Sequence, residues 1–499
     1  MNAASTPTTD AHAASASEVD TGRLRTPLAE TARQILFGES PYAYDAGAAA
    51  ELHTISEVDR AHLLMLERRG IADPAKVRAL LAEIEALRAT GFAGVRDRPA
   101  PRGRYLSYES YLIERLGADT GGVLHTGRSR NDLNATTVRL RLRQPYAALL
   151  EETRQLLAVL RARAEEHRDV VMPAYTHRQP AVPITYGHYL LGLANAVLWG
   201  LDGLLHAGEE MDVNPLGAGA VGGTSVAVDP EHTTRLLGFR APAPNSLHAV
   251  ASRDFVLRLL SATGVLGVGV ARAAQDFSVW TTEEAGLLHV PDDLVGSSSM
   301  MPQKRNPFPL EHIHGKAAAP LGGYVGAASA MLTAGYTNAI AVGTEAVAHL
   351  WPALRNITEA VVLMRLFADG TRPVPARMTE RAEQGYTAAT HLAERLVADG
   401  VPFRSAHHEV GRMVLDGLAA GTPLDQVAGG RLEPGTLAPA AVVAATDFGG
   451  GPGPASTRHA LEALDAGLDR LGTAVDERRR RWATAADELQ AQVEKALQA

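Results

Sequence analysis

Long, proline-poor apolar stretches in the middle of the chain limit its possible folds more than any other feature. Between Pro244 and Pro291 there is no proline, and "FVLRLLSATGVLGVGVARAAQDFSVWTTEEAG" carries apolar residues around most of a helix. Such a helix needs packing partners on several sides, within a bundle or between subunits. Alternation of apolar and polar residues with a period of two is rare. The sequence therefore predicts an all-α protein with a bundle of long central helices.

Composition changes along the chain divide it into four parts, and the second part holds a helix with a clear start. Asp73 supplies an N-cap and Pro74 a first helical position before "AKVRALLAEIEALRATG". The predicted parts are a disordered tail (1–22), an N-terminal helical domain (23–127), a central long-helix bundle domain (128–375) and a C-terminal helical domain (376–499).

Charge and composition argue against several kinds of protein. A net charge of -8 and a pI near 6.1 are unlike a nucleic-acid binder, and the basic run Arg478–Arg481 is interpreted as a solvated helix face. The chain contains no cysteine, which excludes disulfides and thiol catalysis. No apolar run is expected to reach the roughly 18 residues of a membrane span, and the N-terminus lacks a signal-peptide pattern. The sequence therefore predicts a cytoplasmic protein that binds neither membrane nor nucleic acid.

Three polar segments interrupt the long helical stretches. They are "HTGRSRNDLNATT" (125–137), "YTHRQPAVPIT" (175–185) and "GSSSMMPQKRNPFPLEH", which starts at Gly296. The last segment cannot continue a helix, because Pro302 lacks a donor and restricts the residue before it. In a long-helix bundle, loops at one end can converge on one cleft, so we expect these segments to form one site.

The first and third segments carry groups suited to a substrate with two carboxylates. Arg128 and Arg130 are fork-shaped donors, while Lys304 and Asn306 place a cation and an amide two positions apart. One carboxylate can be anchored while the other is stabilised as it gains charge during loss of the adjacent C–H proton. The arginines are flanked by two neutral donors, Ser129 and Asn131.

Candidates for proton transfer lie in the second and third segments. Ser298 or Ser299 can act as the base if the positive field of the nearby lysine lowers the pKa of the hydroxyl. His177, preceded by Thr176, is a candidate proton donor or relay, and Glu311 is a candidate to orient an imidazole. Together these residues predict a proton-abstraction and elimination site that uses no metal and no cofactor.

Each segment also has a purely structural interpretation. "GRSRND" is typical of a capped helix start, with Asn131 or Asp132 as the capping residue. A single histidine such as His177 is often a hydrogen-bonded structural residue, and a serine-rich loop is often a flexible connector. The functional interpretation therefore depends on the three segments occurring together, each at a break between long helices.

Two further motifs are set aside. "GAGAVG" (217–222) matches a dinucleotide-binding pattern but follows a helical stretch, and no acidic residue stands about twenty positions later. His312 and His314 are two residues apart, which directs them to different sides of a helix. Neither a dinucleotide nor a metal is predicted.

The three polar segments resemble the signature regions of the fumarase/aspartase superfamily, specifically its argininosuccinate lyase branch. "HTGRSRND" is specific for that branch, "MPQKRNP" resembles the superfamily signature loop, and "NPLGAGAVGGT" and "NSLHAVASRDF" are similar to further lyase segments. The resemblance implies an all-α, three-domain subunit whose central helices build a twenty-helix core in a homotetramer. It implies active sites drawn from three subunits and a reversible β-elimination that releases fumarate from an N-substituted aspartate.

The resemblance also implies the roles of the reacting groups. Counting back from Lys304 makes Ser298 the base, and Lys304 with Asn306 stabilises the aci-carboxylate intermediate. His177 moves protons and is paired with Glu311. Whether the histidine is itself the acid is left open.

The remaining family roles concern binding. Ser129, Arg130 and Asn131 are expected to hold the fumarate part of the substrate. Thr176 is expected to contact substrate, and Tyr336 is one of three residues that help bind the arginine portion in argininosuccinate lyases.

Departures from the family pattern concentrate on the leaving-amine side. Phe308 stands where the family has an acid, and Ala341 and Thr344 replace a glutamine and a lysine. The family's E-D-x-H element is missing, with "LSYESYLIERLG" in its place, and the glycine before the double serine is displaced to Gly296. A buried cation without its counter-ion is costly, by several kcal/mol. We therefore expect an amine other than arginine, as in a relative that acts on ethylenediamine-disuccinate.

Argininosuccinate itself is the alternative substrate. A non-catalytic scaffold protein, like the lens crystallins related to these lyases, is a second alternative, although Ser298, Lys304 and His177 are all present. An adenylosuccinate lyase or a cycloisomerase is a third, and "HTGRSRND" argues against both.

Overall fold

Helices make up most of the chain in the computed structural model, which describes residues 26–44, 47–429 and 432–499. The predicted tail, residues 1–22, lies outside the described residues. The first helices are α1 (Glu30–Leu36), α2 (Ala48–Arg68), α3 (Pro74–Ala89), α4 (Arg104–Leu116) and α5 (Ala118–Gly121). The central helices are α6 (Arg130–Glu166), α7 (Tyr186–Ala207), α8 (Pro230–Leu236), α9 (Ser246–Ala251), α10 (Asp254–Trp280), α11 (Pro309–Leu332), α12 (Ala346–Ala348) and α13 (Leu350–Gly370). The last helices are α14 (Pro375–Glu383), α15 (Ala389–Ala398), α16 (Phe403–Ala420), α17 (Leu424–Val427), α18 (Pro439–Ala445) and α19 (Pro454–Gln498).

Short strands occur in pairs at the ends of the long helices. The strands are β1 (Val171–Thr176), β2 (Gln179–Thr185), β3 (Val213–Asn214), β4 (Ala241–Pro242), β5 (Leu288–His289), β6 (Gly296–Ser297), β7 (Arg305–Asn306) and β8 (Arg372–Pro373). The pairs β1–β2, β5–β8 and β6–β7 are antiparallel, and β3–β4 is parallel. The all-α fold class is thus confirmed, with β1–β2 as an addition that the sequence pattern did not predict.

The central bundle consists of α6, α7, α10, α11 and α13, which alternate in direction along the chain. Arg163 near the end of α6 donates to the Thr371 carbonyl after α13 at 2.8 Å, and β5 after α10 pairs with β8 after α13. The first residues of α7 bond back to the end of α6, and Gly326 near the end of α11 lies against His349 before α13. The C-termini of α6, α10 and α13 therefore share one end with the N-termini of α7 and α11.

We name the two ends of the bundle by their loops. The hairpin end comprises residues 167–185 and 281–308. The cap end comprises residues 125–129, 208–253 and 333–349. α11 has 24 residues, so about 36 Å of helix separates the two ends.

The sequence signals for the helices were accurate. Asp73 caps α3 by accepting a hydrogen bond from the Ala75 amide at 2.8 Å. The proline-free stretch forms α10, a continuous helix of 27 residues. Both helices are set by local signals, which explains why they were predictable without tertiary information.

The three largest groups of buried apolar residues lie in different parts of the fold. The largest lies within the central bundle, a second joins α2–α4 to residues 216–239, and a third lies between 386 and 442. Leu489 and Val493 near the end of α19 belong to the second group. The end of α19 thus packs against the first helices. The predicted domain boundaries stay a prediction.

The prediction that no apolar stretch is long enough for a membrane span was wrong. Tyr186–Asp212 and Asp254–Trp280 are long and apolar enough to cross a membrane by length and composition alone. Half of each apolar window is buried inside this chain, as expected of core helices in a bundle.

The basic run on α19 is not simply a solvated face. Arg478 and Arg481 both bind the buried carboxylate of Asp212, and Trp482 donates to the same carboxylate at 3.1 Å. These contacts tie α19 to the end of α7, so the arginine run helps to stabilise the packing of the last helix.

Candidate active site

The start of α6 at the cap end is fixed by a capping box. The Ser129 hydroxyl accepts from the Asn131 amide at 3.3 Å, and the Asp132 carboxylate accepts from the Ser129 amide at 2.9 Å. Ser129 is therefore the N-cap, and the expectation that Asn131 or Asp132 fills this position was wrong. The reason is the spacing of Ser129 and Asp132, which suits reciprocal capping.

The "GAGAVG" motif has a structural use at this end. The Gly217 and Gly219 amides donate to the buried Asp132 carboxylate at 3.1 and 2.9 Å. Gly219 has φ +61°, and an added Cβ there would lie 2.4 Å from a backbone oxygen. Glycine is needed because the turn wraps its amides around an internal carboxylate.

Arg130 and Asn131 occupy the first turn of α6, where the helix dipole favours an anion. Arg130 is exposed and donates to the Arg102 carbonyl at 3.0 Å. The Asn131 amide donates to the Ala220 carbonyl at 3.1 Å and its oxygen accepts from Asn338 at 3.0 Å. The first turn is thus positioned to receive a carboxylate.

Tyr336 also lies at the cap end and is 62% exposed. Its hydroxyl is 2.7 Å from Nδ1 of His248, which itself lies 3.8 Å from Glu210. A π-helical turn, Ala341–Glu345, follows and contains the two positions that depart from the family pattern. Turns of this kind are frequent at functional sites.

Arg128 does not serve as a free carboxylate donor, contrary to the sequence interpretation. Its guanidinium lies 2.6 Å from the Asp59 carboxylate, and both side chains are fully buried. Burial raises the pKa of the Asp59 carboxyl, and the ion pair with Arg128 opposes that rise. The sequence could not distinguish the two arginines, because burial depends on α2 packing against the loop.

His177 lies at the hairpin end, in the turn between β1 and β2. His177 and Arg178 lie between the paired residues Thr176 and Gln179. Their φ values of +53° and +65° fit a two-residue turn of the I′ type. Thr176 and His177 are exposed. Non-glycine residues in this conformation cost about 1–2 kcal/mol each, and the pairing of β1 with β2 holds them there, with the imidazole at the tip of the hairpin.

The serine loop, residues 298–304, is the tip of the β6–β7 hairpin. The Ser298 oxygen accepts hydrogen bonds from the Met300 and Met301 amides at 3.3 and 3.0 Å. Two amide dipoles directed at this oxygen favour its deprotonated form. Ser298 is half-buried and Ser299 is exposed, so the geometry favours Ser298 as the proton acceptor.

Lys304 and Asn306 stand on the other strand of this hairpin. Ser297 pairs with Arg305, so Ser298 and Lys304 are the next residues on either side of the loop. Arg305 is bound to Asp292 and the Val290 carbonyl, whereas no ion pair is found for Lys304 within the described residues. Lys304 is therefore the cation available to a ligand at this hairpin.

Glu311 and Phe308 lie at the start of α11, below the serine loop. Glu311 is exposed in the first turn, and no hydrogen bond or ion pair to His177 is found in the described part of the chain. The Phe308 ring packs edge-on against His312 with ring centres 5.9 Å apart. A Cβ on Gly296 would lie 2.7 Å from this ring, so the aromatic residue fills the space above the hairpin.

The site residues therefore form two groups at opposite ends of the bundle. Arg130 and Tyr336 lie at the cap end, while His177, Ser298 and Lys304 lie at the hairpin end, about 36 Å of helix away. The expectation that the three segments meet at one end was wrong for the single chain. The reason is topology, because helices of alternating direction send successive loops to opposite ends.

Comparison with known proteins identifies the family. A family model described as lyase matches residues 103–322, and one for the argininosuccinate lyase C-terminal region matches 386–447. An argininosuccinate lyase from Methanothrix thermoacetophila is 36% identical over 375 residues, covering 74% of this chain and 76% of the relative. One from Methanoculleus marisnigri is 38% identical over 365 residues, covering 72% and 73%. This chain belongs to the argininosuccinate lyase branch of the fumarase/aspartase superfamily.

This member of the argininosuccinate lyase branch is a carbon–nitrogen lyase. The structure of an EDDS lyase variant with bound fumarate superposes on it with a TM-score of 0.87 and 26% identity, covering 96% of this chain and 97% of the other. The all-α lyase fold implied by the sequence resemblance is thereby confirmed.

Two cap-end residues of this lyase were missed by the sequence interpretation. His248 and Asn338 contact Tyr336 and Asn131, respectively. His248 lies in "NSLHAVASRDF", which was noted as a lyase segment, so a signal was present. Asn338 had no signal, because its role depends on the fold of residues 333–340.

Proposed function

We propose that this lyase releases fumarate reversibly from an N-substituted aspartate whose amine part is not arginine. The main support for the elimination is the pair of amides that donate to the Ser298 oxygen, on the hairpin that also carries Lys304. In the elimination, Ser298 takes the proton from the carbon beside the carboxylate, and the developing negative charge is stabilised by Lys304 and Asn306. The C–N bond then breaks, and the departing amine receives a proton relayed through His177.

Fumarate is held by the cap end in this proposal. Arg130 and Asn131 at the start of a 37-residue helix offer a cation, an amide and the positive end of the helix dipole. Ser129 retains its hydroxyl proton for donation, since only its oxygen is used in the cap. Thr176 contacts the substrate from the hairpin end.

The amine part is proposed from the residues around Phe308. An aromatic ring packed between Gly296 and His312 offers no counter-ion to a guanidinium, and burying that cation unpaired costs several kcal/mol. Ala341 and Thr344 in the π-turn likewise supply neither an amide nor a cation. A diamine-bridged substrate of the ethylenediamine-disuccinate type fits these departures.

Argininosuccinate is the second candidate, favoured by the two archaeal relatives that bear that name. Purified enzyme is incubated with argininosuccinate or with ethylenediamine-disuccinate, and fumarate is followed by its absorbance. Turnover of ethylenediamine-disuccinate at least tenfold faster is the expected result. Faster turnover of argininosuccinate overturns the proposed amine specificity.

We also propose that the enzyme is a homotetramer with active sites shared between subunits. The central helices expose an apolar face that includes Trp199 (74% exposed) on α7, Val265 on α10, and Val325 and Leu332 on α11. These helices pack side by side, so the face is continuous, and patches of this kind mark protein–protein contacts. Antiparallel packing of two copies through this face brings the hairpin end of one chain to the cap end of another.

The oligomeric proposal is tested by light scattering of Val265→Arg/Val325→Arg. The wild type is expected at the mass of four chains, and the variant at a lower mass with little activity. Leu415→Arg on α16 is the control, since Leu415 is equally apolar and exposed but lies outside the central face. A monomeric, active wild type contradicts the proposal.

A further inference from the structure

The start of α4 makes a set of hydrogen bonds to the loop that carries Arg130. Tyr105 is 2.8 Å from Nδ1 of His125, and its hydroxyl accepts from Arg128 at 3.1 Å. Arg130 donates to the carbonyl of Arg102, just before the helix. Two side chains of the loop and the first side chain of α6 are thus bound by α4 or by the residues that lead into it. This is where the family's E-D-x-H element is missing.

The network has a buried anchor on its inner side. Arg128 joins Tyr105 to Asp59, and the side chains of Arg128 and Asp59 are completely buried. The Arg128 guanidinium also lies over the Tyr105 ring, 5.5 Å from its centre. Since an unpaired buried charge is costly, this anchor fixes the position of the tyrosine hydroxyl.

The outer side of the network offers the Tyr105 proton two acceptors. The hydroxyl lies 2.8 Å from His125 Nδ1 and 3.2 Å from Glu109 Oε1, and the latter two atoms are 3.5 Å apart. With neutral His125, the hydroxyl can donate to Nδ1. Protonated His125 donates from Nδ1 instead, and the hydroxyl then donates to Glu109.

Charged groups surround His125 from several elements. Burial lowers the pKa of His125, and the guanidinium groups of Arg128 and Arg130 lower it further. The carboxylates of Glu109 on α4 and Asp59 on α2 raise it. His62 on α2 is a further titratable neighbour. The lowered pKa favours the neutral imidazole, whose Nδ1 can accept the tyrosine proton.

We propose that Tyr105 and Glu109 are positioning residues, which orient the carboxylate-binding residues 129–131 through His125 and Arg128. This proposal rests on the proposed function, in which Arg130 and Asn131 hold the fumarate part. Neither Tyr105 nor Glu109 touches the substrate; both set where the loop is held. Protonation of His125 adds a positive charge beside Arg130 and strengthens fumarate binding.

Tyr105→Phe removes the shared hydroxyl while keeping the ring under Arg128. We expect KM for fumarate in the addition direction to rise about tenfold, with kcat changed less than about threefold. Amide hydrogen exchange in residues 125–131 is expected to accelerate. Tyr111→Phe is the matched control, since Tyr111 lies on the same helix but bonds to Glu83 at 3.0 Å. Unchanged KM and unchanged exchange in Tyr105→Phe overturn the proposal.

Glu109→Gln provides a second variant that keeps the side-chain volume. In the proposal, KM for fumarate changes with pH as His125 titrates. Because the Glu109 carboxylate raises the pKa of His125, Glu109→Gln is expected to move this change in KM to lower pH. An unshifted inflection contradicts the role of Glu109. If the wild type releases no fumarate from either substrate, the proposed function fails, whereas the exchange comparison of Tyr105→Phe with Tyr111→Phe still tests the positioning.

Discussion

The hairpin end and the cap end hold their polar side chains in different ways. At the hairpin end, His177 and Ser298 sit on tight turns and are fixed by backbone geometry, with few side-chain contacts. At the cap end, Arg130 and Asn131 start a long helix, above the buried pair of Asp59 and Arg128. The residues assigned to proton transfer thus stand on turns, and those assigned to binding stand on a rigid scaffold. Neither end of the described chain holds both groups of candidate residues.

The largest effect is expected from removing the proposed base at the hairpin end. Ser298→Ala is expected to lower kcat about 1,000-fold, because the amides that stabilise its oxygen lose their acceptor and no base replaces it. Thermal unfolding should be unchanged, since the loop is exposed. Ser299→Ala is the control, and a larger loss in that variant moves the role to Ser299.

A mixing experiment tests whether the two ends cooperate across subunits. Ser298→Ala at the hairpin end and Arg130→Ala at the cap end are each expected to be inactive alone, and the two variants are refolded together. If the site takes its two ends from different subunits, about a quarter of the sites regain both wild-type groups.

The control is a mixture of two variants that are both altered at the hairpin end. Ser298→Ala mixed with Lys304→Ala should regain nothing, because both residues belong to one hairpin of one chain. Equal recovery in both mixtures, or none in the first, contradicts a site built from opposite ends of different chains.

A smaller effect is expected from the binding end. Arg130→Lys keeps the charge but loses the fork-shaped donor, so KM for fumarate is expected to rise about tenfold with kcat nearly unchanged. Arg104→Lys is a matched control, since Arg104 pairs with Glu51 on the surface. A fall in kcat without a change in KM would place Arg130 with the reacting groups.

The smallest effect concerns the pH dependence of stability, through the buried His62 beside the cap-end loop. Burial holds the pKa of His62 well below its usual value, while its Nε2 donates to the Thr126 carbonyl. The unfolded chain takes up a proton near pH 6.5 and the folded chain does not, so this contribution is present above that pH and is lost as the pH falls. The loss approaches about 1.4 kcal/mol per pH unit.

Chemical denaturation between pH 5 and 7 measures this slope. His62→Gln should show a shallower dependence of the free energy of unfolding on pH than the wild type. His206→Gln, at an exposed position on α7, is the control and should keep the wild-type slope. An unchanged slope in His62→Gln would show that the buried histidine does not contribute.

Local signals in the sequence predicted the helices, and motif residues predicted the family. Asp73 and the proline-free stretch before Trp280 define their helices without help from distant residues. The sequence did not predict that Arg128 is buried, because Asp59 lies on another helix and the pairing depends on packing. It also did not predict that the signature segments separate to opposite ends, because the direction of each long helix is a property of the whole bundle.

The contact between Gly296 and Phe308 has a consequence for how such enzymes change over time. A methyl group at position 296 would collide with the aromatic ring 2.7 Å away, so the two positions are sterically coupled. A mutation to any larger residue at 296 is tolerable only after the ring has been replaced by something smaller. Homologues that have an aromatic residue at the position of Phe308 should therefore have glycine at the position of Gly296. The two changes should appear together on an evolutionary tree.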